Sequence, residues 1–411
     1  MRRLLAVSAA LGAAVLSAVG PLSSSSSATS VPAASSAAAE TRSEPAPLRR
    51  AADPIPGQYI VTLDEDASTE AVTTMAAPEV EPLFTYTSAL NGFAAELTAE
   101  QVEAVRAQPG VVAVEEDGIA SATEIAPADQ IAAADPLAPA ASWGLDRIDQ
   151  RVLPLDHQYN VARTGAGTTV YVVDSGIDFS HSEFGGRALR GPDYVGDGLG
   201  SADCNGHGTH VAGTVGGATY GVATQVSLVS VRVLGCDGQG AWSGIIAGFD
   251  WVAANARQPA VVNASLGGGY NQAANDAVDR LASRGVLPVV AAGNDSIDAC
   301  QVSPASANWA LTVGATDPND VQSSFSNHGQ CLEIYAPGRD ILSARIGGGI
   351  TSKNGTSMAS PHVAGVAALY KSVNPGASVQ DVAYWLIGQS TKGVLRVSPG
   401  SPNQLLFTSG L

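Results

Sequence analysis

The chain has 411 residues, of which 45% are apolar, with 45 glycines and a formal charge of −17. That is room for two or three domains with cores of their own. The acidic balance argues against nucleic acid, whose phosphates it would repel, and otherwise serves solubility.

Met1, Arg2 and Arg3 precede an apolar run from Leu4 to Val19. This reads as a secretory signal peptide over 1–28, too short and too rich in Ala, Gly and Ser to span a membrane. Residues 29–55 are Ser/Ala/Pro-rich and aperiodic, as in a disordered linker. Strand patterns follow at 58–63, 90–97 and 110–115. Between the last two, Thr98 opens a helix reaching Gln108, and Gln101 is placed to complete a capping box. These elements make a small βαβ-like unit over 56–118. Residues 119–142, again Ala/Pro-rich, are expected to form an exposed connector.

From Trp143 onward the apolar runs alternate between two kinds. Segments 169–173, 226–234, 260–265, 286–292 and 310–313 read as buried strands, and 208–215, 243–255, 272–283 and 357–370 as helices. Strands alternating with helices predict an α/β architecture, a mostly parallel sheet covered on both faces, with its site at the carboxyl ends of the strands. Four cysteines, Cys204, Cys236, Cys300 and Cys331, suggest two disulfides in an exported chain. Three pairings are open to them.

The chemistry-bearing residues sit at the ends of these elements. Ser357 lies among small residues at the start of an apolar helix, where backbone N–H groups face a developing oxyanion, and Pro361 is expected in that helix's first turn. Asp174 ends a buried strand before Gly176, His207 opens a glycine-flanked helix, and Asn294 ends another strand with a side-chain donor. Each has an ordinary alternative as a cap, helix or turn residue. Cys204, His207, His210 and Cys236 also have metal-like spacing, but the Glu of the H-E-x-x-H metalloprotease helix is missing. The order Asp174, His207, Ser357 decides among nucleophile classes. An α/β-hydrolase needs its His last, after an acid that follows the Ser, and no His follows His362.

In that order, the segments 172–178, 205–217, 231–240, 263–270, 289–294, 303–306, 325–329 and 354–365 resemble the subtilisin-like serine proteases, nearest the proteinase K and aqualysin branch. The resemblance covers about 143–405. It implies a three-layer fold with a mostly parallel sheet between helices, over a peptidase domain 143–411. It makes Ser357 the nucleophile, His207 the general base, Asp174 its orienting acid, and Asn294 with the Ser357 N–H the oxyanion hole. Ser265, Leu266 and Gly267 would pair with an extended substrate, with Gly238 to Gly240 on its other side. Gly267, Gly268, Ala291, Ala292 and Gly293 would frame a first specificity pocket without obvious charge, suited to apolar or aromatic side chains. Trp242 would wall an outer pocket.

The same likeness implies the bridges Cys204–Cys236 and Cys300–Cys331. Val211 stands where proteinase K has a free Cys beside its base. The resemblance further implies structural calcium, at Asn308, Ala310 and Asp340 and at Asp146, Asp149, Gln150 and Asp156, with no catalytic cofactor. The unit 56–118 resembles an inhibitor-type propeptide of α+β build, a folding aid and intramolecular inhibitor, and the connector 119–142 would contain the maturation bond. The expected protein is a secreted, extracellular, monomeric endopeptidase that acts on polypeptides and touches neither nucleic acid nor membrane. A catalytically silent binding protein on the same fold is the alternative, disfavoured because all four catalytic positions are filled. Three glycosylation sequons, at Asn263, Asn294 and Asn354, overlap catalytic segments and are expected to be coincidental.

Overall fold

A computed structural model describes residues 44–124 and 140–411. The predicted signal peptide, linker residues 29–43 and most of the predicted connector lie outside the described residues.

Nine strands form the central sheet, in the order 391–392, 404–405, 334–337, 311–316, 287–291, 260–264, 169–174, 227–232 and 188–193. All pairs are parallel except the first. Side chains alternate between faces with period two, which divides each apolar strand between two cores. Val170, Val172, Val261, Val289 and Val313 face the helices His207–Gly216, Thr356–Val373 and Val379–Gln389. Val173, Val262 and Val290 face the helices Trp242–Asn255 and Gln272–Ser283. The predicted three-layer arrangement is therefore present. Ala188–Asp193 was not foreseen as a strand: it carries Arg190, Gly191 and Pro192, and its exposed edge position demands no apolar run.

The amino-terminal unit contains the strands Pro54–Leu63, Phe84–Tyr86, Gly92–Glu96 and Val111–Ala122 and the helices Thr69–Ala76 and Ala99–Arg106. Neighbouring strands pair antiparallel, but Gly92–Glu96 and Val111–Ala122 flank Pro54–Leu63, run parallel to each other and are joined by the helix Ala99–Arg106, so the βαβ-like expectation holds in split form and the α+β character stands. The capping box forms: Gln101 N–H donates to Thr98 Oγ1 at 3.2 Å and Thr98 N–H to Gln101 Oε1 at 2.8 Å. Two expectations about its edges change. Leu48–Arg49, within the predicted linker, pairs with Val114–Glu115. The strand starting at Val111 runs through 119–122, which the sequence reading placed in an exposed connector.

This unit docks on the two helices of the second core through carboxylates. Glu115 accepts from the N–H groups of Gln272 (2.9 Å) and Ala273 (3.2 Å), and Asp117 from that of Ser243 (3.1 Å), so each caps the start of a helix of the larger unit. In return, Asp250 Oδ1 accepts from the N–H groups of Ser88 and Ala89, both at 2.7 Å. Burial raises the pKa of both Glu115 and Asp117 despite these bonds.

Candidate active site

Asp174 ends the strand Thr169–Asp174 and is fully buried. Its Oδ1 accepts from His207 Nδ1 at 2.7 Å and from the Ser175 N–H at 2.7 Å. His207 is the first residue of its helix, so the helix start and the strand end bring the pair together. The next residue must be glycine: a Cβ on Gly208 would run into the carbonyl oxygen of Gly176 and lie 3.1 Å from Asp174 Oδ1. Burial opposes protonation of His207, but the charge and hydrogen bond of Asp174 outweigh it and hold the imidazole pKa above its ordinary value. His207 Nε2 has no hydrogen-bond partner, which leaves it available for a proton.

Ser357 is the second residue of the helix Thr356–Val373, capped by Gly355 at φ +154°. Pro361 falls in the second turn of this helix, not the first as expected. Its missing N–H deprives the Ser357 carbonyl of a helical donor, and the Ser265 hydroxyl takes that place at 2.9 Å. Asn294 Oδ1 accepts from the Thr356 N–H and hydroxyl, both at 2.9 Å, which fixes the amide; its Nδ2 is buried without a partner. Thr356 Oγ1 in turn accepts from the Gly293 N–H at 3.1 Å. Asn294 Nδ2 and the Ser357 N–H are thus two donors at the start of this helix.

The end of the amino-terminal unit lies at these donors. The strand Val111–Ala122 pairs antiparallel with Leu266–Gly269 on one side (Gly267 opposite Ser121) and with Gln239–Ala241 on the other (Gly240 opposite Ala120). The Ala122 N–H donates to the Gly238 carbonyl at 2.9 Å and the Thr123 N–H to that of Ser265 at 3.3 Å. The Thr123 carbonyl accepts from the Ser357 N–H at 3.4 Å. A Cβ on Gly355 would meet that carbonyl oxygen and lie 3.2 Å from Asn294 Nδ2, so only glycine admits the carbonyl here. Ser357 Oγ hydrogen-bonds to the Thr123 hydroxyl and donates to the Ser265 carbonyl at 2.9 Å.

Thr123 stands at a pocket lined by Gly267, Gly268, Ala291, Ala292 and Gly293, the five expected residues, together with Asp295, Val302 and Ser303. Asp295 brings a carboxylate that the sequence reading did not assign to this pocket. Trp242 is buried and shares the second core with Ala120, three residues before Thr123, and its ring lies 3.2 Å from a Cβ position on Gly268.

Other expected residues divide. Cys204–Cys236 and Cys300–Cys331 are bonded, with Cα separations of 4.9 and 5.2 Å. That removes Cys204 and Cys236 from the metal-like spacing. His210 Nε2 bonds to the Ile341 carbonyl at 2.9 Å, and burial pushes its pKa down to about 3. His362 is likewise a structural helix residue, its Nδ1 donating to the Met358 carbonyl at 2.8 Å and its pKa lowered to about 4 by burial. The sequon asparagines Asn263 and Asn354 are buried.

Asp340 does not join Asn308 and Ala310. The parallel register pairs Val313 with Ile334 and Thr316 with Pro337, so Ala310 precedes one end of that strand pair and Asp340 follows the other. Asp340 instead hydrogen-bonds through its N–H to Asn354 Oδ1 at 2.6 Å. The carboxylate beside Ala310 is Glu333, whose Oε2 accepts from the Thr312 N–H at 2.8 Å.

Asp146 and Asp149 come together around the loop 150–160. Each has one oxygen bonded, to the His157 N–H (2.9 Å) and the Asn160 N–H (2.6 Å), and one buried oxygen without a partner. Burial first, then the neighbouring charge of Asp156, raises both pKa values. Gln150 Oε1 accepts from the Asp156 N–H at 3.1 Å. Two orphaned carboxylate oxygens are ligands of the kind a hard cation takes, although Asp146, Asp149 and Asp156 do not form one close cluster among the described residues.

Comparison with known proteins agrees with this geometry. Residues 165–405 match the profile of the "Subtilase family", and 58–122 that of "Peptidase inhibitor I9". "Alkaline serine exoprotease A" of Vibrio alginolyticus is 48% identical over 80% of this chain, which spans 60% of that protein's length. "Extracellular serine proteinase" of Thermus sp. (strain Rt41A) is 44% identical, covering 90% of this chain and 94% of its own. A solved "cold adapted subtilisin-like serine proteinase" is 50% identical, with a TM-score of 0.64, over 65% of this chain and 97% of its own.

Proposed function

The chain belongs to the subtilase family, and from that membership we propose that it is a secreted serine endopeptidase, made as a precursor that processes itself. The observation that carries this reading is the peptide carbonyl of Thr123, held by the Ser357 N–H at 3.4 Å in a cleft containing a buried Asp174–His207 pair. An extended polypeptide takes the place of residues 119–123, adding a strand between two enzyme edges.

Catalysis follows from the groups present. Ser357 Oγ attacks the carbonyl carbon as His207 Nε2 takes its proton. Asn294 Nδ2 and the Ser357 N–H hold the oxyanion, and His207 returns the proton to the leaving amine. Water then releases the acyl group by the same route. Asp174 holds the tautomer in which Nε2 is free and stabilises the imidazolium. All these groups come from one chain, so the site is complete within a single copy. Small walls and Val302 favour apolar side chains at the first pocket. Export is supported by the amino-terminal signal pattern and by the name of the Thermus relative; no helix of the described residues is long and apolar enough to cross a membrane.

The test is hydrolysis of a peptide anilide by the protein after removal of residues 44–123. Turnover that a serine-directed phosphonate blocks is expected; an inert protein with the phosphonate unreacted would support the silent binding protein instead.

Asp146, Asp149, Gln150 and Asp156 are the residues that would hold calcium. A site saturated at a hundred times its dissociation constant stabilises the fold by about 2.7 kcal/mol. Calcium is therefore expected to raise the thermal midpoint of the processed protein by several degrees, and Asp149→Ala to lose most of that gain. Equal gains in both proteins, measured by scanning calorimetry, would place the ion elsewhere.

A further inference from the structure

The expected maturation region spanned 119–142, and its sequence singles out no bond. The cleft does. Thr123 has its N–H on Ser265, its carbonyl on the Ser357 N–H, and its side chain at the first pocket. Beyond it the chain turns at once, the Glu124 N–H donating to the Ala122 carbonyl at 3.0 Å. This turn places the Glu124 carboxylate on Lys353, with Nζ 2.8 and 2.7 Å from its two oxygens. Both side chains are largely shielded, 17% exposed for Lys353 and 20% for Glu124.

Lys353 is fixed by its surroundings. It ends the strand Ile350–Lys353, paired with Ile341–Ala344, and stands two residues before Gly355. His210 anchors this hairpin to the helix that begins with His207. Glu124 is the only salt-bridge partner of Lys353 among the described residues. When residues 44–124 leave the cleft, an ammonium group remains on the leaving-group side of the nucleophile.

We propose that Thr123–Glu124 is the bond this enzyme cuts in its own precursor, and that Lys353 selects it by binding the carboxylate of the residue after the cut. The inference rests on the peptidase reading above. The step balances as a hydrolysis. Ser357 Oγ bonds to the Thr123 carbonyl carbon and its proton passes to His207. The Thr123–Glu124 C–N bond breaks, and the Glu124 nitrogen takes that proton to become the new amino terminus. Water then cleaves the ester, leaving a carboxylate on Thr123 and restoring the Ser357 hydroxyl. The same lysine gives the mature enzyme a preference for Asp or Glu after the scissile bond in other polypeptides. A shielded, hydrogen-bonded ion pair formed on binding and kept in the transition state contributes about tenfold to kcat/KM.

Two measurements test this. The full-length chain is allowed to process, and the released propeptide is weighed by mass spectrometry. A fragment ending at Thr123 is expected, whatever later trimming shortens the arm 124–142. The processed enzyme is then given two peptides that differ only in having Glu or Lys after the cut. Wild type is expected to favour Glu by about tenfold in kcat/KM, Lys353→Met to show a ratio near one, and Lys353→Glu to favour Lys. The ratio is taken within each enzyme, so a loss of folded protein cancels. If Lys353→Glu does not accumulate, the exchange Lys353→Glu with Glu124→Lys is expected to restore cutting at the same bond. A fragment ending elsewhere, or a ratio that ignores residue 353, overturns the proposal while hydrolysis of the anilide leaves the peptidase reading standing. A wild-type chain inert on the anilide overturns both.

Discussion

Ser357→Ala is expected to lower kcat by about 10⁶-fold, the scale known for loss of the nucleophile in subtilisin, a member of the same family, and to leave the chain as an uncut precursor. The physical reason is that no other group can form the ester. Ser357 Oγ is buried at the helix start and meets the hydroxyl of Thr123, whose carbonyl accepts from the Ser357 N–H. Removing it deletes two hydrogen bonds, to the Ser265 carbonyl and to the Thr123 hydroxyl, and leaves the helix and its Ser265 contact intact. The fold should therefore survive, with the amino-terminal unit still docked. Gel electrophoresis of the secreted product is a direct check: normal maturation of Ser357→Ala would exclude Ser357 as the self-processing nucleophile.

Asn294→Leu is expected to cost about 10²–10³ in kcat with little change in KM; this scale comes from the corresponding asparagine of subtilisin itself. The two ends of the Asn294 amide do different work. Nδ2 is buried without a partner near the Thr123 carbonyl oxygen, so its bond is made when charge develops there. Oδ1 accepts two bonds from Thr356 and holds the first residue of the catalytic helix. Leu removes both, so roughly 1–3 kcal/mol of stability should also go as the Thr356 groups lose their acceptor. Asn294→Asp separates the roles, because it keeps the acceptor and replaces the donor. Its stability should stay near wild type while kcat falls at least as far as in Asn294→Leu. Equal kcat in wild type and Asn294→Asp, measured at saturating anilide, would remove Nδ2 from the oxyanion hole.

The residues proposed for catalysis could be picked out because they lie at element ends that the chain punctuates. Asp174 follows four apolar strand residues and precedes Gly176, His207 opens a helix between glycines, and Ser357 follows Gly355. The alternation of apolar runs was enough for five strands of the central sheet, while 188–193, 334–337, 391–392 and 404–405 were not foreseen. What escaped the sequence depends on register. Asp340 was assigned to a calcium set on the far side of its sheet, because the pairing of Val313 with Ile334, which brings Glu333 beside Thr312, has no local signature. Residues 119–122 looked like a connector because Ile119, Ala120, Ser121 and Ala122 have no strand periodicity of their own; both partner strands are supplied by the peptidase domain. Lys353 and Asp295 were missed for a related reason. A single charge in a loop or short strand acquires meaning only from what folding sets against it, here Glu124 and the first pocket.

The central claim is that Ser357, activated by His207 and Asp174, is the nucleophile of a peptidase. The most direct measurement is mass spectrometry of the processed protein after inactivation by a serine-directed phosphonate. One adduct per chain, located by peptide mapping on Ser357 and rising in step with the loss of anilide hydrolysis, is the predicted result. Full activity with Ser357 modified, or inactivation with the adduct on a different serine, would contradict it.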